Sequence, residues 1–336
     1  IRHAHPCPVL KTADLMHIGS LGQSGSDMEP LTFRNPWIVS VTCARRRVPL
    51  WAVLAIAGAA LICGLIATPA LHRLWATLYL PAAPPLALSR TLLEAGVFFP
   101  LYACALGMQF WEGRAARRTT GFARWEGLVI GVGIGASASL AAILAASASG
   151  VVHPGAGAQA IGFGLLLASL LTAFQAFGEE IFFRGWLQPL LGANIGLKAG
   201  LVLTAGVFAG AHLITQSLSV VAIVNIFAAG LLFGLLALRT GGLAAPFGTH
   251  AVWNWLEQSV MGLMPNPGSD PLGSFFDFDL VGPPLLSGGE DGLDGSLLVT
   301  LVLAVAIAGV ALIKPAEAGG EAMAQAAPFR GHPRRK

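Results

Sequence analysis

Hydrophobic and polar positions in this chain are segregated into long apolar blocks joined by short polar connections. Near-continuous runs of Leu, Ala, Val, Ile, Phe and Gly lie at about residues 48–67, 86–110, 127–148, 160–190, 197–215, 217–238, 243–263 and 296–313. Roughly 20 apolar residues in a helix cross the hydrocarbon core of a bilayer. A helix also satisfies its own backbone hydrogen bonds where no water can. The pattern predicts an all-α, polytopic membrane protein with about eight transmembrane helices, the fourth and seventh least cleanly bounded. Pro189 could kink or break the fourth. The third block carries Gly131, Gly133, Gly135, Ala136 and Ser137, small residues that suit close helix packing in lipid. No repeat of a solenoid's period is visible.

Composition sharpens the class. Of 336 residues, 55% are hydrophobic and only 11% charged, against roughly a quarter charged in a soluble domain. The net charge of +3 is too small and too scattered to suggest a nucleic-acid partner, and none is expected. Basic residues instead mark alternate connections. Arg45, Arg46 and Arg47 precede the first block, and Arg114, Arg117, Arg118 and Arg124 separate the second from the third. Lys198, Arg239 and the terminal Arg334, Arg335 and Lys336 continue the alternation. The loop from Pro265 to Gly295 holds Asp270, Asp277, Asp279, Glu290, Asp291 and Asp294 and is expected outside the membrane. The positive-inside rule then places both termini in the cytoplasm, as in a multi-pass protein of a bacterial inner membrane.

This divides the chain into a disordered or poorly ordered tail over 1–47, two helices and a basic cytoplasmic loop over 48–126, a membrane core over 127–313, and a cytoplasmic tail over 314–336. The first residue is Ile1, and Met28 is a plausible alternative start. Gly22-Gln23-Ser24-Gly25 matches the GxSG pattern of serine intramembrane proteases, but it sits in the polar tail and reads as a chance match. Cys7, Cys43, Cys63 and Cys104 have no paired or metal-type spacing, so neither disulfides nor a zinc site are assigned to them. Cys63 and Cys104 read as small hydrophobes.

Charge inside an apolar block is costly and survives mainly when paired or chemically active. Glu179, Glu180 and Arg184 lie in the fourth block, His212 in the fifth, and His250 and Asn254 in the seventh. Glu180 and Arg184 are four apart, in the order that favours an ion pair on one helix face. Glu179 points about 100° away and is the less neutralised carboxylate, hence the candidate base. His250 and Asn254 stack on one face. Were the fourth and fifth helices a hairpin turning near Ala193 to Gly196, Glu179 and His212 would lie ~21 and ~25 Å from the turn, at nearly one depth. Arg90 and Glu94, near a helix end, read as snorkelled or locally paired. A carboxylate beside two imidazoles can activate water, directly or through a metal. An amide such as Asn254, with a second His, can donate to the oxyanion formed at a peptide carbonyl. These residues favour hydrolysis in or at the edge of the membrane, and HExxH is absent.

Glu179-Glu180-x-x-x-Arg184, Phe208-x-x-x-His212 and His250-x-x-x-Asn254 resemble the three signature motifs of the CPBP intramembrane proteases (CAAX protease, ABI or type II CAAX prenyl endopeptidase family). Phe182-Phe183-Arg184-Gly185 and Arg239-Thr240-Gly241-Gly242-Leu243 extend the resemblance, which covers about residues 160–258. It implies an eight-helix intramembrane endopeptidase acting on a membrane protein or peptide, prenylated in some members. Glu179 and His212 would activate water, and His250 and Asn254 would stabilise the oxyanion. Glu180 and Arg184 would support the site, with Phe208 of the second motif. The enzyme would work either without a cofactor or with a divalent metal such as zinc on Glu179, His212 and His250. A non-catalytic scaffold or bacteriocin-immunity type protein on the same fold is the alternative, and a transporter, whose inverted repeats are not visible, ranks below both.

Overall fold

A computed structural model of the chain describes residues 48–79, 86–112, 125–156, 162–215, 218–268, 270 and 272–313. The expectations for the terminal tails, for the GxSG match, for Cys7 and Cys43, and for the basic loop 113–124 lie outside the described residues. The architecture is all-helical: α1 (Leu50–Tyr79), α2 (Leu86–Glu112), α3 (Trp125–Ala148), α4 (Phe163–Phe182), α5 (Gln188–Ile195), α6 (Leu197–Thr215), α7 (Val220–Thr240), α8 (Ala244–Asn254) and α9 (Leu297–Ala311). Among the described residues, seven helical stretches are long and apolar enough to cross a membrane, with α4 and α5 counted as one continuous stretch. The chain is therefore a multi-pass integral membrane protein. The expected span not among these stretches is the seventh, 243–263, where α8 lies. It has eleven α-helical residues followed by a six-residue π-helical stretch, Trp255–Val260. In the other direction, α1 reaches 30 residues, well beyond the predicted 48–67.

The α4–α5 stretch stays helical through Pro189 by widening. A proline at 189 cannot donate to the carbonyl of Gly185, and its ring would crowd that carbonyl. The five residues Phe183–Leu187 form a π-helical turn ahead of it, and the side-chain amide of Gln109 on α2 donates to the Gly185 carbonyl at 3.3 Å. One turn on, Gln188 donates to the Gly234 carbonyl of α7 at 3.0 Å. α2 is thus anchored to the carbonyl that the proline frees, and α5 to α7, close to Glu180 and Arg184.

Small residues set the other close contact. Gly131 and Gly135 lie four apart on α3 and press against α8. A Cβ on Gly135 would come within 2.5 Å of the Thr249 carbonyl oxygen, and one on Gly131 would overlap the Ala245 carbonyl. Gly133 has open space and takes no part in this packing. Because Thr249 precedes His250, the α3 glycines fix the depth of that imidazole. Gly131→Val is accordingly expected to destabilise the fold by at least ~1–3 kcal/mol of overpacking, read as a lowered midpoint in thermal unfolding of the detergent-solubilised protein. An unchanged midpoint would mean that α3 can slide without cost.

The remaining layers follow in order. The α1–α2 hairpin meets the rest chiefly through α2 on α4, while α8 packs between α3, α4 and α7, and α9 closes against α7 and α3. The segment after α8, the acidic loop, carries short elements that join it to the helices. Phe278–Leu280 (β2) pairs antiparallel with Val152–Pro154 (β1) at the end of α3, in register Val152 with Leu280. Gly289–Gly295 forms a 3₁₀ turn broken at Gly292, where the backbone takes φ 61°. Asn225, buried on α7, donates to the carbonyls of Asp294 at 2.8 Å and Ser296 at 2.9 Å and accepts from Thr300 at 2.7 Å. The acidic segment is thereby pinned to α7.

Candidate active site

Adjacent glutamates on a helix must diverge, and here they divide the work. Glu180 turns inward to Arg184. The ion pair spans 2.8 Å, and both side chains are 0% exposed. Arg184 also donates to the Gly230 carbonyl at 3.1 Å, and its guanidinium lies over the rings of Phe208 at 4.5 Å and Phe233 at 5.2 Å. An arginine suits this place because its planar cation is weakly hydrated and stacks on aromatic faces. Glu179 has no arginine. Gln175, one turn earlier, approaches its Oε1 at 3.4 Å, while its buried Oε2 receives no hydrogen bond from the protein.

His250 joins the two carboxylates. Its Nδ1 is 2.9 Å from Glu180 Oε1, and its Nε2 is 3.9 Å from Glu179 Oε2. Since a carboxylate only accepts, Nδ1 carries the proton that Glu180 receives, and Nε2 turns toward Glu179. The ring is held by stacking on Phe233, with centroids 4.7 Å apart and planes 16° from parallel. Glu180 therefore contacts a site imidazole as well as Arg184, a link that the i, i+4 spacing did not reveal.

Two adjoining cavities meet at this cluster. The larger, about 550 Å³, lies between the α1–α2 hairpin and α4 and α6, and takes in Glu179 and His212 together with Arg90, Glu94 and Asp270. The smaller, about 130 Å³, is lined by His212, His250, Asn254, Glu257, Asp291 and Asp294 among others. Gln175, His212, Gln258 and Met264 border both. His212 Nδ1 lies 2.9 Å from the Phe208 carbonyl, so that nitrogen donates and the Nε2 lone pair is directed elsewhere. Phe208 packs its ring edge-on to Phe183 at 5.1 Å and against His212 at 4.8 Å, which ties the second motif to the first. Glu179, His212, His250 and Asn254 are thus all brought to the two cavities.

Several contacts here escaped the sequence reading. Arg90 and Glu94 do pair, at 3.0 Å, but Arg90 also reaches Asp270 at 3.4 Å, and both border the cavity that holds Glu179. Glu257 was passed over, although it follows His250 and Asn254 at i+7 and i+3, on the same helix face. Asp294 had no local signal at all, because its placement depends on Asn225 and the break at Gly292. The three residues suggested as metal ligands do not form a ligand set. Among the described residues, no group of three or more His, Cys, Asp or Glu could hold a metal ion. No chemical step below is routed through one.

A family model described as type II CAAX prenyl endopeptidase Rce1-like matches residues 159–256, the stretch that carries all three motifs. Comparisons with curated proteins and with solved structures returned no match. The match begins just before α4 and ends just after α8, so it contains the glutamates, both histidines and Asn254 but neither α1 nor α2. Within this multi-pass membrane protein, residues 159–256 are a domain of the Rce1-like type II CAAX prenyl endopeptidase family, membership of which implies intramembrane proteolysis.

Proposed function

We propose that this protein is an intramembrane endopeptidase that hydrolyses a peptide bond of a membrane-associated protein or peptide, with Glu179 as the general base. The observation that carries the reading is the buried Oε2 of Glu179, which no protein group hydrogen-bonds, facing His250 Nε2 in a cavity that His212 also lines. A carboxylate left in that condition is costly as structure and useful as a base.

In this scheme His250 keeps one N–H, at Nδ1, on Glu180 and turns a second, at Nε2, toward Glu179 and the substrate. Water held by Glu179 and the Nε2 lone pair of His212 attacks the peptide carbonyl carbon as Glu179 takes its proton. The negative charge passes to the carbonyl oxygen, where the Nε2–H of His250 and the amide of Asn254 donate. Glu179 then returns the proton to the amide nitrogen as the C–N bond breaks. Glu180 and Arg184 are positioning residues in this scheme, holding the imidazole at its depth.

The test is cleavage of membrane peptides by the purified protein in lipid vesicles, with products identified by mass. His212→Ala and Asn254→Ala are each expected to slow cleavage by roughly 10²-fold or more, the usual loss for a catalytic proton partner or an oxyanion donor. A chelator such as EDTA or 1,10-phenanthroline is expected to leave the rate unchanged, since Glu179, His212 and His250 do not form a metal-holding group. Loss of activity on chelation and its return with a stoichiometric metal would overturn the metal-independent mechanism. Absence of any cleavage across a broad peptide panel would favour a non-catalytic scaffold.

A further inference from the structure

The smaller cavity is more acidic than the hydrolysis of a peptide bond requires. Glu257, Asp291 and Asp294 all line it, and no Lys or Arg is among its lining residues. Asp291 is partly used, since its Oδ2 accepts from the Ser219 backbone at 2.9 Å. Glu257 is only 2% exposed, its Oε1 receives no hydrogen bond from the protein, and Asp294 lies within electrostatic reach of it and of both imidazoles. The catalytic scheme uses neither Glu257 nor Asp294. Glu180 meets two cationic or polarisable donors, Arg184 and His250, on its Oε1, whereas Glu257 has only the Trp253 side chain. The titratable groups that line the cavity beside this pair are His212 on α6, His250 on α8 and Asp291. None is a permanent cation. The rest of the wall is largely apolar, including Ile226, Leu232, Phe233 and Leu303.

Apolar sides with unmatched carboxylates fit a group with a hydrocarbon stem and a cationic head. We propose that this cavity is a specificity pocket that takes a basic side chain, lysine or arginine, of the substrate residue adjoining the scissile bond; the inference rests on the proteolytic reading above. The volume of about 130 Å³ is several times the roughly 30 Å³ that a water occupies in the liquid, enough for one side chain. Position agrees with this. Glu257 lies three residues beyond Asn254, ~4.5 Å further along the helix axis, so a cation bound there sits within one side-chain length of the amide assigned to the oxyanion. A bare metal ion is a poorer occupant, because these carboxylates and imidazoles form no metal-holding group of three.

The experiment compares peptides that differ only in lysine against norleucine, which keeps the stem and removes the charge. A fluorescent membrane peptide, with the substitution scanned residue by residue, is titrated onto the Glu179→Gln protein in nanodiscs and onto the same protein carrying Glu257→Gln and Asp294→Asn. At one position lysine is expected to bind about tenfold tighter than norleucine, and the ratio to fall to about one in the carboxamide variant. Equal binding of the two peptides at every position overturns the pocket, and that comparison needs no folded pocket variant. A lysine preference that survives the carboxamides also overturns it. Cleavage of both peptides by the wild-type protein without preference sinks the pocket and leaves proteolysis standing. A lysine preference in binding, with no cleavage by wild type, sinks the proteolytic reading and leaves a cation-binding cavity.

Discussion

Glu179→Gln is expected to lower peptide cleavage by about 10²–10⁴-fold, the range supplied by a general base. Glutamine keeps the size of the side chain and its hydrogen-bonding reach to Gln175 but cannot take a proton from water. The loss should therefore fall on kcat, with KM nearly unchanged, because the larger cavity retains its shape. Glu180→Gln should differ in kind. It weakens the acceptor that orients His250 Nδ1 and also strips Arg184 of its ionic partner at 2.8 Å, so both stability and rate should drop. Vesicle cleavage assays with unfolding midpoints recorded for each variant separate the two. If Glu179→Gln retained more than a tenth of wild-type activity, the base would have to be sought elsewhere.

Arg184→Met is expected to destabilise the protein by about 3–5 kcal/mol, the cost of leaving a buried charge without its partner. Three contacts are lost together: the ion pair with Glu180, the hydrogen bond to the Gly230 carbonyl, and the stacking under Phe208 and Phe233. The double variant Arg184→Met with Glu180→Leu is expected to recover much of that stability, since a hydrophobic pair can replace a buried ion pair at little cost. It should not recover activity, because His250 Nδ1 then has no acceptor. A single variant within about 1 kcal/mol of wild type would show that the pair contributes little to the fold.

The legible part of the site was its local chemistry. Periods of four placed Glu180 beside Arg184 and Asn254 beside His250, and the 100° offset turned Glu179 toward a different environment. Those are properties of one helix and survive any packing. The bond from His250 to Glu180 was not legible, because it joins α8 to α4 across the bundle. Arg90 and Glu94 were legible as a pair, but their place beside the cavity of Glu179 depends on how α2 docks on α4. The acidic residues after α8 were read only as a sign of topology. Asp294 becomes a cavity residue because buried Asn225 accepts and donates to the segment that carries it.

By itself the sequence determined the membrane class, the helical blocks and the identity of the polar set, because apolar length and i, i+4 spacing act within a single segment. The family match over residues 159–256 covers the same polar set. Only the tertiary structure decided the short α8, the widened turn ahead of Pro189, the glycine contact that sets the depth of His250, and the second, acidic cavity. These depend on where two backbones can approach and on which buried polar group finds a partner. Both are settled between segments that lie far apart in the chain.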